Sequence, residues 1–205
     1  NHLLGNLHGL EIAGLTNAGL ANGHRVEGNR IEASAQDGIH VGTGAAGILL
    51  AGNRIRSSGQ EGIYLQWCEH CTVRDNVVEG SGTSPLYVKH SSDGRYLDNV
   101  FADSIVQVRG ESSRNLFARN VLHRSSFAFE AYVGRGYGRD MDWIARPREN
   151  EVVGGAIAAR RYCFRFNGAE DNRVRDVLAI ECRATPPGEE PAGNIVAMRV
   201  ATGDL

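Results

Sequence analysis

An asparagine followed two residues later by an apolar side chain recurs along this chain. The asparagines are Asn6, Asn29, Asn53, Asn76, Asn99, Asn120, Asn150, Asn172 and Asn194, at intervals of 23, 24, 23, 23, 21, 30, 22 and 22 residues. Their apolar partners are Ile31, Ile55, Val78, Phe101, Leu122, Val152, Val174 and Val196, and only the first repeat departs, with His8. Three residues before the asparagine stand Leu3, Val26, Leu50, Val73, Tyr96 and Phe117. So short and regular a period marks a chain whose repeats are layers, each burying its apolar side against the next.

A second short apolar segment lies inside each repeat: Gly38-Ile39-His40-Val41, Gly62-Ile63-Tyr64-Leu65 and Pro85-Leu86-Tyr87-Val88. Alternation puts Ile39, Val41, Ile63, Leu65, Leu86 and Val88 on one face and His40, Tyr64 and Tyr87 on the other. Helical spacing is absent, and 26 glycines in 205 residues supply turns between short strands. The expected fold is all-β: a parallel β-helix (solenoid) with three short strands per rung and about nine rungs, right-handed by the general preference of parallel crossovers. An asparagine at each bend suits such a stack, because its carboxamide both donates and accepts along a ladder. It also tolerates the left-handed backbone that a bend demands.

Composition narrows the partners. Basic residues number 22 against 24 acidic ones, for a net charge of −2, so the basic excess of a nucleic-acid groove is missing. The longest apolar run, 45–51, falls far short of the roughly 20 residues that span a bilayer. Neither a nucleic acid nor a membrane span is expected. The chain starts at Asn1 and reads as one β-helix domain, 1–205, cut from a longer protein, with an inserted loop at 130–149. Its open ends would then be capped by flanking sequence or by a partner.

Gly52-Asn53-Arg54-Ile55, Gly62-Ile63-Tyr64-Leu65 and Cys71-Thr72-Val73-Arg74-Asp75-Asn76 resemble the repeats of right-handed parallel β-helix proteins. That group includes pectate-lyase-like enzymes, alginate epimerases and NosD-like periplasmic proteins. The resemblance implies a secreted or periplasmic protein that binds carbohydrate. It speaks to fold more than to chemistry, since the repeat is a packing device.

Four cysteines invite separate attention. Cys68-Glu69-His70-Cys71 has the spacing of a metal or redox motif, but no second pair follows at ligand spacing, so buried packing thiols are expected. Cys163 and Cys182 fall at similar places on neighbouring rungs, where a disulfide is sterically allowed.

Extended to later repeats, the alternation stacks Gly42, Gln66, Lys89, Arg109 and Glu130 in one outward row and His40, Tyr64, Tyr87, Gln107 and Ala128 in the next. Lys89, the single lysine of the chain, thus lies one rung from Arg109, beside a strip of rings suited to the apolar face of a sugar. A neighbouring cation lowers a lysine from its usual ~10.4 towards the range of a general base. A base there, with an arginine to hold a carboxylate, is equipped to take the C5 proton of a uronic acid. The alternative is ordinary surface pairing with Glu130 or Asp93.

The stretch Val88-Lys89-His90-Ser91-Ser92, Asp98-Asn99-Val100-Phe101, Gln107-Val108-Arg109-Gly110 and Arg119-Asn120-Val121-Leu122 is similar to the catalytic region of polysaccharide lyase family 6, the alginate lyases and chondroitinase B. That resemblance assigns Lys89 as base and Arg109 as acid. It also implies calcium, but Gly82 and Ser84 occupy the places of the family's acidic ligands, so no cofactor or metal is expected. The long repeat between Asn120 and Asn150 adds Arg135, Tyr137, Arg139 and Trp143, residue types that grip carboxylates and stack on sugars. Asp140 and Asp142 beside Glu130 would also permit a two-carboxylate glycosidase.

Two readings stand on the sequence. One is a lyase or epimerase acting on an acidic polysaccharide through Lys89 and Arg109, with Tyr64, Tyr87, Glu130, Arg135, Arg139 and Trp143 in contact with the polymer. The other is a non-catalytic β-helix, glycan-binding or structural, as in NosD-like proteins, adhesins or tailspikes.

Overall fold

A computed structural model of the chain describes residues 1–13, 21–135, 142–183 and 193–201. It is a parallel β-helix, and among the described residues every strand pairing is parallel except one hairpin. Each turn lays down three strands. On one turn these are Arg30–Glu32, Ile39–Val41 and Leu49–Ala51, and they open what are called here the first, second and third columns. The second column is a seven-stranded sheet, so the molecule has about seven complete turns rather than nine. The first and third columns merge into one 15-stranded sheet, because the eight-residue strand Arg173–Ile180 pairs in both. No described helix is long and apolar enough to cross a membrane.

The asparagines explain the miscount. They form two ladders at two different corners. Asn1, Asn29, Asn53, Asn76, Asn99 and Asn120 stack at the corner before the first column. Asn115, Asn150, Asn172 and Asn194 stack at the corner before the third. Asn6 belongs to neither stack, and Asn120 does not continue to Asn150. The apolar rows shift accordingly. Val152, Val174 and Val196 follow Phe117 in the third column, whereas Leu3 pairs with Ile31 in the first. Asparagine followed by an apolar residue two places on serves both corners, so the pattern alone joined two rows into one.

The left-handed residue at these bends is not the asparagine but its predecessor: Gly28, Gly52, Asp75, Asp98 and Arg119 at one corner, and Arg114, Glu149, Asp171 and Gly193 at the other. A side chain in that conformation costs roughly 1–2 kcal/mol where glycine has no Cβ to clash. At several such bends the side chains pair from rung to rung: Arg119 with Asp98 at 2.6 Å and Arg114 with Asp93 at 2.7 Å. Gly38 and Gly62 have a different reason to be glycine. A Cβ on Gly38 would lie 2.6 Å from the Gly62 carbonyl oxygen and 2.4 Å from the Ile55 side chain.

The expected inward rows are all inward. Ile39, Val41, Ile63, Leu65, Leu86, Val88, Val106 and Val108 are fully buried, each contributing on the order of 2 kcal/mol by leaving water. Towards the C-terminal turns the filling becomes aromatic, with Tyr96 on Phe117 at 4.5 Å, Phe127 on Phe164 at 5.7 Å and Phe129 on Phe166 at 5.3 Å. Cys163 and Cys182 are bonded across neighbouring turns. Cys68 and Cys71 are bonded as well, and are not the packing thiols expected, because the corner after the second column brings their Cα atoms to 6.0 Å.

The ladder carries a stability prediction. Asn76 is wholly buried; its amide donates to Asn99 and to the Leu50 carbonyl, and accepts from Asn53. Asn76→Ala strands several of these groups at ~1–3 kcal/mol each, whereas Asn194→Ala removes only the last, partly buried step. Urea midpoints should fall by an amount worth about 3 kcal/mol for Asn76→Ala and clearly less for Asn194→Ala. Equal losses would deny the ladder its role.

Candidate functional site

The second column presents its outward rows as one continuous face. The pairings Gln66–Lys89–Arg109–Glu130–Asn167 and His40–Tyr64–Tyr87–Gln107–Ala128–Arg165 run up it side by side. Tyr64 and Tyr87 stack with centroids 5.1 Å apart and are half-buried rather than fully exposed, since each ring lies along its neighbour. Burial raises both phenols above their ordinary range; the Arg109 guanidinium pulls Tyr87 the other way. Both hydroxyls therefore stay protonated as donors.

Lys89 and Arg109 meet through a residue the sequence did not single out. Tyr132 lies under both cations, with Lys89 Nζ 4.6 Å and Arg109 Cζ 5.9 Å from its ring centre. Arg109 donates to the Tyr87 hydroxyl at 3.5 Å and pairs with Glu130 at 3.5 Å. Asp93, the other expected partner, is taken by Arg114. His90 is sandwiched between Trp67, stacked on it at 4.4 Å, and the edge of Tyr132 at 5.5 Å. Trp67 is 39% exposed and covers His90, which is buried between the two other rings.

Tyr132 begins a hairpin that lies within the expected insertion. Tyr132–Arg135 pairs antiparallel with Asp142–Ala145, placing the Arg135 backbone opposite Asp142 and that of Gly134 opposite Trp143. Arg139, Tyr137 and Asp140 lie outside the described residues. The hairpin's first residue, Tyr132, is the one that lies against Lys89 and Arg109. The insertion is also larger than the asparagine spacing implied: Asn115 bonds Asn150 across 35 residues, whereas Asn150 bonds Asn172 across 22. Of the two places expected of calcium ligands, Gly82 packs against the Gly59 carbonyl and Ser84 spends its hydroxyl on the Leu86 and Ile105 carbonyls.

The face has a second pole that sequence reasoning missed. Asp37, nearly buried, accepts from His40 Nδ1 at 2.7 Å, and His8 Nδ1 lies 3.6 Å from the same oxygen. Burial opposes charge on Asp37, but hydrogen bonds from His40 and Glu61 outweigh it and hold the carboxyl below its usual range. His40 is raised by that bond to Asp37, against the pull of burial. Glu61, one rung above, is pushed up by burial and by Asp37. Rings connect the poles: His8 to His40 at 5.1 Å and His40 to Tyr64 at 4.9 Å. The available signal was His8, the one residue that broke the apolar column.

Among the described residues a cleft of about 890 Å³ lies not over Lys89 but along the edge of this face, among Asp103, Arg124, Arg160, Arg161, Tyr162 and Arg165, with Arg124 paired to Asp103. Arg165 ends the row that contains Tyr64 and Tyr87. Cations therefore line the C-terminal half of the face.

A family model described as a right handed beta helix region matches residues 1–138. Among solved structures, the periplasmic alginate epimerase AlgG superimposes with a TM-score of 0.63 at 13% identity, over 89% of this chain and 40% of that one. The mannuronan C-5 epimerase AlgE4 A-module of Azotobacter vinelandii does so at 0.55 and 15% identity, over 80% of this chain and 51% of that one. The chain thus spans about half the length of these neighbours or less, and the likeness is one of fold. No curated protein matches it in sequence.

His90 links this site to pH. Burial first, and the adjacent Lys89 second, depress its imidazole from 6.5 to about 4. The unfolded chain binds that proton near pH ~6.5, the native one only near 4, so the folded state is penalised as pH falls between those values. The stability contributed is complete above about 6.5 and is lost on descent towards 4. Urea midpoints of the parent should drop more steeply over this window than those of His90→Asn; parallel slopes would contradict the assignment.

Proposed function

This chain belongs to the right handed beta helix family, and from that premise we propose that it acts on an acidic polysaccharide laid along the face of the second column. The observation that carries the reading is the convergence of Lys89 and Arg109, from adjacent turns, on the ring of Tyr132 beside the Tyr64–Tyr87 stack. The hydroxyls and edges of the stacked Tyr64 and Tyr87 rings suit the hydroxyl groups of successive sugars. The arginines towards the C-terminal turns suit carboxylates, which a planar guanidinium holds bidentately.

In this reading Arg109 takes the carboxylate of a uronic acid residue and stabilises charge that develops on it. Lys89 is the base that takes the proton from C5. In elimination the electron pair forms the C4–C5 double bond as the C4–O bond breaks, and the departing oxygen receives the Tyr87 proton. In epimerisation no bond to oxygen breaks and a proton returns to C5 from the opposite side. Both are chemistries of one carbanion-like intermediate. The names of the epimerase neighbours support this substrate class, and two disulfides support a secreted or periplasmic setting. A binding-only role draws support from Arg109, which is already engaged by Glu130 and Tyr87.

The test is incubation with a panel of uronate polymers, following both unsaturated-uronate absorbance and exchange of the C5 proton in heavy water. Turnover should appear with at least one polymer. Lys89→Ala should leave the fold intact and reduce that turnover about 10²- to 10⁴-fold. Arg109→Lys should fail too, since an ammonium cannot replace the fork. Saturable binding without absorbance change or exchange would leave the binding-only role as the correct one.

A further inference from the structure

The His8–Asp37–His40 cluster is the second pole of the face, two turns below Lys89, and the polysaccharide reading leaves it unused. From its geometry we infer that these three side chains form a binding site for a divalent transition-metal ion of the zinc type.

The three arrive from different places in the chain. Gly9 pairs with Gly38, so His8 stands one rung below Asp37, and Ile63 pairs with Ile39, so Glu61 stands one rung above it. His40 lies three residues beyond Asp37 and its ring nitrogen turns back to the same carboxylate oxygen. The donor atoms of the three residues all lie within 4.8 Å of one another. A tetrahedral ion with ligands at about 2.0–2.2 Å needs them about 3.3–3.6 Å apart. The His8–Asp37 separation of 3.6 Å already fits, and the 2.7 Å His40–Asp37 contact must open by under about 1 Å.

Two further observations point to an ion rather than to a plain hydrogen-bond cluster. His8 Nδ1 is buried from solvent yet makes no hydrogen bond. A buried ring nitrogen without a partner is costly, and here it faces a carboxylate oxygen just beyond bonding distance, the disposition of two ligands awaiting a common cation. Second, Asp37 is 3% exposed and has a second carboxylate, Glu61, for a neighbour. Two acidic groups in a half-dry corner are relieved by a cation more completely than by one proton.

The donor set selects the metal. Two imidazoles and one carboxylate favour zinc, cobalt, nickel or ferrous ion over calcium, which takes six to eight oxygens. Thiolates do not compete, because all four cysteines are bonded to one another. Three protein ligands leave at least one coordination position for water or a ligand. The site does not depend on the polysaccharide reading.

The experiment uses tag-free protein freed of metal by a chelator and titrated with Zn²⁺ by calorimetry and with Co²⁺ by visible absorption. One ion per chain should bind. His8→Gln and His40→Gln should each weaken it at least about tenfold, whereas His24→Gln, at an exposed position, should leave it unchanged. Circular dichroism of the metal-free variants establishes that they remain folded. Should His8→Gln prove unfolded, Asp37→Asn replaces it and must lose the cobalt bands. Absence of stoichiometric uptake, or uptake that survives the His8 and His40 substitutions, overturns the site.

Discussion

A carboxamide shut away from water must find several partners, and in this protein it finds most of them in copies of itself. Asn76 accepts from the backbone and the amide of Asn53, and donates to Asn99 and to a carbonyl of the turn below. Repeating that arrangement requires that successive turns return to the same corner one strand spacing, ~4.8 Å, further on. Turn length, strand register and the inward rows then follow. A rung longer or shorter at that corner would break the chain of amides, so variation is displaced to other corners.

The hand-over between ladders shows the rule at work. Asn120 ends the first ladder because the residue above it is Gly155, where a Cβ would sit 2.1 Å from the Asn120 carbonyl oxygen. By then Asn115 has begun the second ladder on the same turn. The hairpin is inserted between Glu130 and Asn150, and the Asn115–Asn150 bond fastens its return to the stack. A solenoid accepts a large insertion when both ends of the excursion are pinned by the repeat itself. The hairpin in turn brings Tyr132 under Lys89 and Arg109, so a packing device supplies the geometry of the site.

The two poles of the face differ in charge for the same structural reason. Parallel stacking places like positions directly above one another, so the type of residue at each rung decides whether neighbours repel, pair or share a guest. Towards the C-terminal turns Lys89, Arg109 and Arg165 accumulate, tempered by Glu130. Towards the N-terminal turns Glu11, Asp37 and Glu61 accumulate, tempered by His8 and His40. A polyanion and a metal ion thus suit opposite ends of one surface.

Period-two alternation was legible from single segments: Ile39 with Val41 and Leu86 with Val88 point inward, and Tyr64, Tyr87, Lys89 and Arg109 line up outward. That holds because parity along a strand is a local property. The period of the asparagines likewise determined the solenoid. Which corner each asparagine occupied was not legible, since the motif is identical at both corners and only the path of the intervening turn tells Asn120 from Asn115. The meeting of His8 with Asp37, the sharing of Tyr132 by two cations and the closure of Cys68 with Cys71 were decided by tertiary structure. Each depends on how far a corner or an insertion carries the chain across neighbouring rungs, a distance that no repeat in the sequence encodes.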